Sequence, residues 1–99
     1  MMNPQDMQAS AKEAAELLKT MSHPARLQVL CQLTENEVSV GELLSHSTLS
    51  QSAFSQHLSV LKQHNLIKAR KSAQQVFYSI ADERVYEIVK TLHSIFCKD

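Results

Sequence analysis

Apolar residues along this chain follow two rhythms in turn. Met7, Ala11, Ala14, Ala15, Leu17, Leu18 and Met21 recur at spacings of three and four, with Ala-rich filler between them. That pattern predicts a first helix from Asp6, preceded by a frayed stretch over residues 1–5. Ser22-His23-Pro24 reads as a stop and a restart. Ser22 can cap, and Pro is tolerated in a helix's first turn, where its missing N–H has no partner anyway. A second helix is expected from Pro24 to about Thr34, with Leu27, Val29, Leu30, Cys31 and Leu33 turned inward. After the polar connector Glu35-Asn36-Glu37, Ser39 can cap a short third helix with Val40, Leu43 and Leu44 in the core. Ser50 can cap a fourth from Gln51 to about His64. Its Ala53, Phe54, Leu58 and Leu61 keep helical spacing, while Gln51, Ser52, Ser55, Gln56 and Ser59 form a small polar face.

Past Asn65, a residue suited to the left-handed conformation that ends many helices, the period drops to two. Ile67, Ala69, Val76, Tyr78 and Ile80 alternate with Lys68, Arg70, Gln75 and Ser79, which predicts two antiparallel strands joined near Ser72-Ala73-Gln74. A last helix is expected from Asp82 to about Cys97. Its Val85, Tyr86, Ile88, Val89, Leu92, Ile95 and Phe96 spread over more than one face. A helix apolar over so wide an arc needs burial on two sides. The chain's own core supplies one side, and the other implies a second chain.

Composition narrows the reading. With 99 residues, 43% hydrophobic and 20% charged, the chain is sized and composed for a single globular domain over 1–99. No apolar run approaches the roughly 20 residues that span a bilayer. Met1-Met2-Asn3-Pro4-Gln5-Asp6 also lacks the basic-then-apolar order of a secretory signal, so a cytoplasmic protein with no membrane partner is expected. Two cysteines are too few for a disulfide scaffold. The formal net charge of zero hides an uneven distribution. Residues 1–42 hold three basic and six acidic side chains, whereas residues 43–81 hold Lys62, Lys68, Arg70 and Lys71 and no acid at all. Such a segment has the charge expected of a surface that faces nucleic acid, although a polar surface that merely lacks acids reads the same way.

The order of elements, ααααββα, is that of a mainly α winged helix-turn-helix with a small β-hairpin wing, the helix-turn-helix spanning 39–64 and the wing 66–80. Three strings carry a more specific resemblance. Met21-Ser22-His23-Pro24-Ala25-Arg26-Leu27-Gln28-Val29-Leu30 resembles the signature that opens the second helix in the ArsR/SmtB family of bacterial regulators. Leu49-Ser50-Gln51-Ser52-Ala53-Phe54-Ser55-Gln56-His57-Leu58 resembles that family's recognition helix, and Val76-Phe77-Tyr78-Ser79-Ile80 its second wing strand. The likeness runs from about residue 10 to the end. Thr48 in the turn, and Ala73-Gln74 where the wing commonly has glycine, depart from the pattern.

The resemblance implies a sequence-specific regulator of transcription, usually a repressor, although some relatives raise expression by displacing a silencing protein. The residues agree. Short hydrogen-bonding side chains on Gln51, Ser52, Ser55, Gln56 and His57 suit a helix deep in the major groove of double-stranded DNA. Ser39 and Ser50 offer hydroxyls and helix amino termini to phosphates. Lys62, Lys68, Arg70 and Lys71 would grip the backbone, with Arg70, Lys71 and Gln74 on the wing nearest the minor groove. A homodimer built by the first and last helices is implied. Its recognition helices would lie about 34 Å apart on an imperfect palindromic operator.

Many members of that family sense metals. Where one known site has Cys-x-Cys, this chain has Ser39 and Gly41. Where another uses Asp and His along the last helix, only Asp82 and His93 are present, with Arg84 at a position where another ligand is expected. That set is too sparse for tetrahedral zinc, and neither a metal nor another cofactor is expected. Cys31 in the second helix and Cys97 at the end of the last match instead a branch of the family that responds to reactive sulfur species or oxidants, modification releasing DNA. One thiolate would attack a persulfide or polysulfide and the other would resolve the product. A direct disulfide needs Cα atoms about 4.4–6.8 Å apart, and each inserted sulfur adds roughly 2 Å of reach. The other readings are a metal-responsive regulator of the same family, a protein-interaction module without DNA affinity, and two structural thiols. No Ser/His/Asp or Cys/His arrangement and no glycine-rich phosphate loop points to an enzyme.

Overall fold

A computed structural model describes residues 3–97. They form helices α1 (Pro4–Met21), α2 (Pro24–Gln32), α3 (Val40–Ser45), α4 (Gln51–Gln63) and α5 (Glu83–Phe96), with strands β1 (Val38–Ser39), β2 (Ile67–Ser72) and β3 (Gln75–Ile80). The fold is the expected winged helix-turn-helix, with the added strand β1 making the order ααβααββα. β1 pairs with β3 through Val38↔Tyr78 and Ser39↔Phe77, so the wing is a three-stranded antiparallel sheet in the order β1-β3-β2. A two-residue strand is too short to show a period of two, and pairing with β3 alone creates it.

Capping chemistry moves two expected boundaries. Asn3 Oδ1 accepts from the Asp6 N–H at 2.9 Å and Pro4 fills the first helical turn, so α1 starts earlier than Asp6. Residues 3–5 are thus ordered, and Met1 and Met2 of the stretch expected to fray lie outside the described residues. Ser22 closes α1, its N–H donating to the Lys19 carbonyl, and does not open α2. The cap of α2 is His23, whose Nδ1 accepts from the Ala25 N–H at 3.1 Å. Pro24 in the first turn places the cap on the residue just before it. Ser39 and Ser50 cap α3 and α4 as expected, each hydroxyl oxygen accepting at 3.2 Å from the N–H three residues on.

α4 ends in a Schellman motif. Asn65 takes φ 63°, its N–H reaches the Lys62 carbonyl at 3.0 Å, and the Leu66 N–H reaches the Leu61 carbonyl at 2.9 Å. Leu61 and Leu66 are both fully buried, supplying the apolar contact that accompanies the motif. The chain passes directly into β2, whose pairing with β3 runs from Ile67↔Ile80 to Ser72↔Gln75. At the wing tip Ala73 adopts φ 55°, a left-handed conformation that glycine takes without steric cost.

The core draws Val29 and Leu30 from α2 and Leu33 just after it, Leu43 from α3, Phe54, Leu58 and Leu61 from α4, and Val85 and Val89 from α5. α1 contributes only Met21 to the buried set, while its Met7 and Leu18 stay 56% and 48% exposed. At the far end of α5, Ile95 and Phe96 are 54% and 76% exposed. α1 and α5, the helices from which the resemblance implies a homodimer, both leave large apolar side chains uncovered.

Candidate nucleic-acid interface and thiol cleft

Burial of Phe54, Leu58 and Leu61 fixes the rotation of α4, because these positions share one face of a 3.6-residue period. The opposite face then presents Gln51, Ser52, Ser55, Gln56, Ser59 and Lys62, all exposed. On the wing, Lys68, Arg70, Lys71 and Gln74 are exposed too. Ser50 is exposed and Ser39 half-buried; each hydroxyl oxygen accepts a capping hydrogen bond and keeps its own proton to donate to a phosphate.

Two expected contact residues are engaged inside the protein. Arg70 Nε and Nη2 donate to the Glu37 carboxylate at 3.1 and 2.5 Å, and the guanidinium carbon lies 4.9 Å from the Phe77 ring centroid. The bond to Arg70 holds the Glu37 carboxyl below the usual carboxylate range and pushes the guanidinium up. The acid-free stretch of 43–81 is therefore not acid-free in space. β1 beside β3 brings Glu37, from the acidic part of the chain, to the wing. The only advance signal was a Glu immediately before Val38.

His57 is the second case. Its half-buried ring turns toward α2 and away from the polar face of α4, and its Nδ1 accepts from Arg26 Nε at 3.1 Å. Arg26 Nη1 donates to the Thr20 carbonyl at the end of α1 at 2.9 Å. The His23 ring lies with its centroid 4.1 Å from that of His57, tilted by 38°. Burial, then the neighbouring His23 and Arg26 charges, hold His57 below the usual histidine range. A place among the base-contacting side chains does not suit a ring held this way.

The two cysteines come from opposite ends of the chain to one cleft. Cys31, half-buried on α2, and Cys97, exposed at the end of α5, both line a space of about 480 Å³ walled by Leu27, Val89, Leu92 and Phe96. Gln28 and His93 also line it. Burial pushes the Cys31 thiol up, and the nearby Cys97 adds to the shift. The Cys97 N–H donates to the His93 carbonyl at 2.9 Å, continuing the helical ladder to the thiol. Asp82, weighed as a metal ligand, caps α5 and pairs with Arg84, far along the helix from His93. Among the described residues, no group of three or more His, Cys, Asp or Glu side chains is placed to hold a metal ion.

No helix among the described residues is long and apolar enough to cross a membrane. The sequence profile of the bacterial regulatory protein, arsR family, matches residues 23–69. Over 97 residues, 98% of this chain and 90% of the relative, the sequence is 46% identical to the transcriptional activator HlyU of Vibrio cholerae. The structure of reduced HlyU from that organism matches with a TM-score of 0.90, covering 95% of this chain and 99% of the other. The HTH-type transcriptional regulator YgaV of Escherichia coli is 47% identical over 92 residues, 92% of this chain and 93% of the relative. The transcriptional repressor BigR from Xylella fastidiosa matches with a TM-score of 0.87 at 40% identity, covering 99% of this chain and all of the other. These relatives are regulators of transcription, not enzymes. With identity and coverage of this order along nearly its whole length, the chain belongs to the arsR family of bacterial regulatory proteins.

Proposed function

We propose that this chain is a cytoplasmic transcriptional regulator, a homodimer on an imperfect palindromic DNA operator, whose grip is switched by reactive sulfur species at Cys31 and Cys97. The observation that carries the reading is the shared cleft: two thiols remote in sequence open onto one apolar space between α2 and α5. The Vibrio cholerae relative has been solved in a reduced form, which accords with a thiol-dependent state. Relatives include an activator and a repressor, and repression is the sign proposed here.

On the DNA side, the polar face of Gln51, Ser52, Ser55 and Gln56 enters the major groove, and Ser39, Ser50, Lys62, Lys68 and Lys71 hold phosphates. Gln74 and Arg70 sit on the wing, where the Glu37 carboxylate offsets the Arg70 charge toward an approaching phosphate. The apolar side chains left uncovered on α1 and α5 are the surface on which a second copy packs.

The thiols divide the chemistry by exposure. Cys97, exposed, meets the reagent first; Cys31, half-buried with its proton held more tightly, is the weaker initial nucleophile and resolves. The Cys97 thiolate attacks a sulfane sulfur of a polysulfide, and the displaced fragment departs as an anion. The Cys31 thiolate then attacks the sulfur chain on Cys97 and expels hydrosulfide, leaving a covalent link between α2 and α5. Because α5 also carries the uncovered Ile95 and Phe96, a tie to α2 strains the dimer and alters the spacing of the recognition helices. Coupling between sites of this kind is typically 1–3 kcal/mol, about a five- to 150-fold change in affinity.

Mass spectrometry of polysulfide- and peroxide-treated protein, with binding to a duplex selected from a random pool measured in parallel, tests the reading. A sulfur-containing link between Cys31 and Cys97 is expected together with release of DNA, and Cys31→Ser and Cys97→Ser should keep their DNA after treatment. Release by both Ser variants as readily as by the parent would overturn it.

A further inference from the structure

The hydrogen bonds around His57 join three helices at one point. Arg26 donates from α2 to His57 on α4 and to the Thr20 carbonyl at the end of α1, while His23, the cap of α2, lies against the His57 ring. We infer that Arg26, His57 and His23 act as positioning residues that hold the recognition helix α4 in its DNA-binding pose near neutral pH and release it as the medium turns acidic. The inference rests on the reading of α4 as the helix that contacts DNA.

The chemistry follows from which nitrogen accepts. Nδ1 of His57 accepts from Arg26 Nε and Nδ1 of His23 accepts from the Ala25 N–H, so each neutral ring carries its proton on Nε2. A second proton on either ring must go to Nδ1. At His57 that sets an N–H against the N–H of a guanidinium that cannot give up its charge. At His23 it removes the acceptor that caps α2. With ring centroids 4.1 Å apart, two imidazolium charges also repel each other. The groove that Arg26 borders is lined further by Glu16 and Lys19 from α1 and by His64, which follows α4. Glu16 and Lys19 bring opposite charges to that groove, and the side chains in contact with the His57 ring are Arg26 and His23.

The direction is set by linkage. An unfolded or detached histidine takes its proton near pH 6.5, at about the ordinary value. His57 in place takes it at lower pH, held down by burial and then by His23 and Arg26. Between those two values the detached ring binds more protons than the packed one. The packed arrangement is thus at full strength above about pH 6.5 and is lost as pH falls through the lower value. DNA electrostatics alone has the opposite sign, because protonated histidines add positive charge and tighten binding to phosphates. The sign of the pH response therefore separates the device from a general charge effect.

The test uses the full chain under a thiol reductant and a duplex of about 30 base pairs, enough for two half-sites, selected by this protein from a random pool at about pH 7.5. The reading is the ratio of affinities at about pH 5.5 and 7.5 within each protein, so a change in basal affinity does not enter. The parent is expected to bind at least about fivefold more weakly in acid, within the range of ordinary coupling between sites. His57→Asn places an amide oxygen where Nδ1 accepts and cannot be protonated there, so its ratio should be flat or reversed. Unchanged or tighter binding of the parent in acid overturns the inference, as does an equal fall in His57→Asn. Histidine and amide NMR of the parent keeps the test open if the variant fails to fold. Amide shifts along α4 should move in step with the His57 ring, and α4 amides that stay still through that titration overturn the inference. If no duplex is selected at all, the DNA reading fails, and the NMR titration still decides whether the histidines control the helix.

Discussion

Replacing Glu37 by Gln removes one charge from the edge of the proposed DNA surface and leaves its shape in place. In the parent, two Arg70 N–H groups are committed to the Glu37 carboxylate at 3.1 and 2.5 Å. A phosphate approaching the wing there meets a pair with no net charge. The Gln amide oxygen still accepts one N–H, so the side chains stay close while the pair gains a full positive charge. Each phosphate neutralised steepens the plot of log affinity against log salt by about 0.9, so one freed Arg70 per subunit steepens it by about 0.9, or about 1.8 for a dimer. At about 0.1 M salt, one decade below a 1 M reference, the same slope corresponds to roughly eightfold tighter binding per subunit. Fluorescence anisotropy of a labelled, selected duplex across about 0.05–0.3 M salt reads both quantities. Stability should hardly change, since an exposed ion pair contributes little, and a thermal melt checks that. Parallel lines for parent and Glu37→Gln would refute the reasoning, because Glu37 would then not keep Arg70 from a phosphate. Lys71→Gln should move the slope the other way, toward fewer released counterions.

Three further outcomes follow from packing. Leu61 is fully buried and also closes the Schellman motif against Leu66, so Leu61→Ala should lose about 2–5 kcal/mol in urea unfolding; a loss under about 1 kcal/mol would mean that this part of the core is loosely packed. Ala73→Gly relieves a left-handed alanine at the wing tip and should raise stability by about 0.5–1 kcal/mol, and a lower melting temperature would contradict the turn conformation. Phe96→Asp puts an unpaired charge where a second copy is proposed to pack, and sedimentation should show a monomer at micromolar concentration; an intact dimer would place the interface elsewhere.

What the amino-acid order determined by itself was local. Helical spacing placed α1, α2, α4 and α5, the serines at 39 and 50 marked true caps, and Asn65 marked the end of α4, because each of these signals acts within one turn of chain. The rule that a proline in the first turn follows its cap also identifies His23, and a preference for Ser22 as the better capping residue obscured it. The polar face of α4 was legible for the same reason, since burial of Phe54, Leu58 and Leu61 on one side leaves the other to solvent.

Only the tertiary structure decided how remote residues meet. Glu37 reaches Arg70 because β1 exists, and β1 exists only against β3. Arg26 reaches His57 because α2 and α4 pack, which turns a residue of the recognition helix inward. Cys31 and Cys97 face one cleft because α5 returns across α2. The physical reason is common to all three. Caps and periodicity are settled by backbone geometry over a few residues, whereas an ion pair, a histidine acceptor or a pair of thiols depends on where hydrophobic packing brings distant segments to rest.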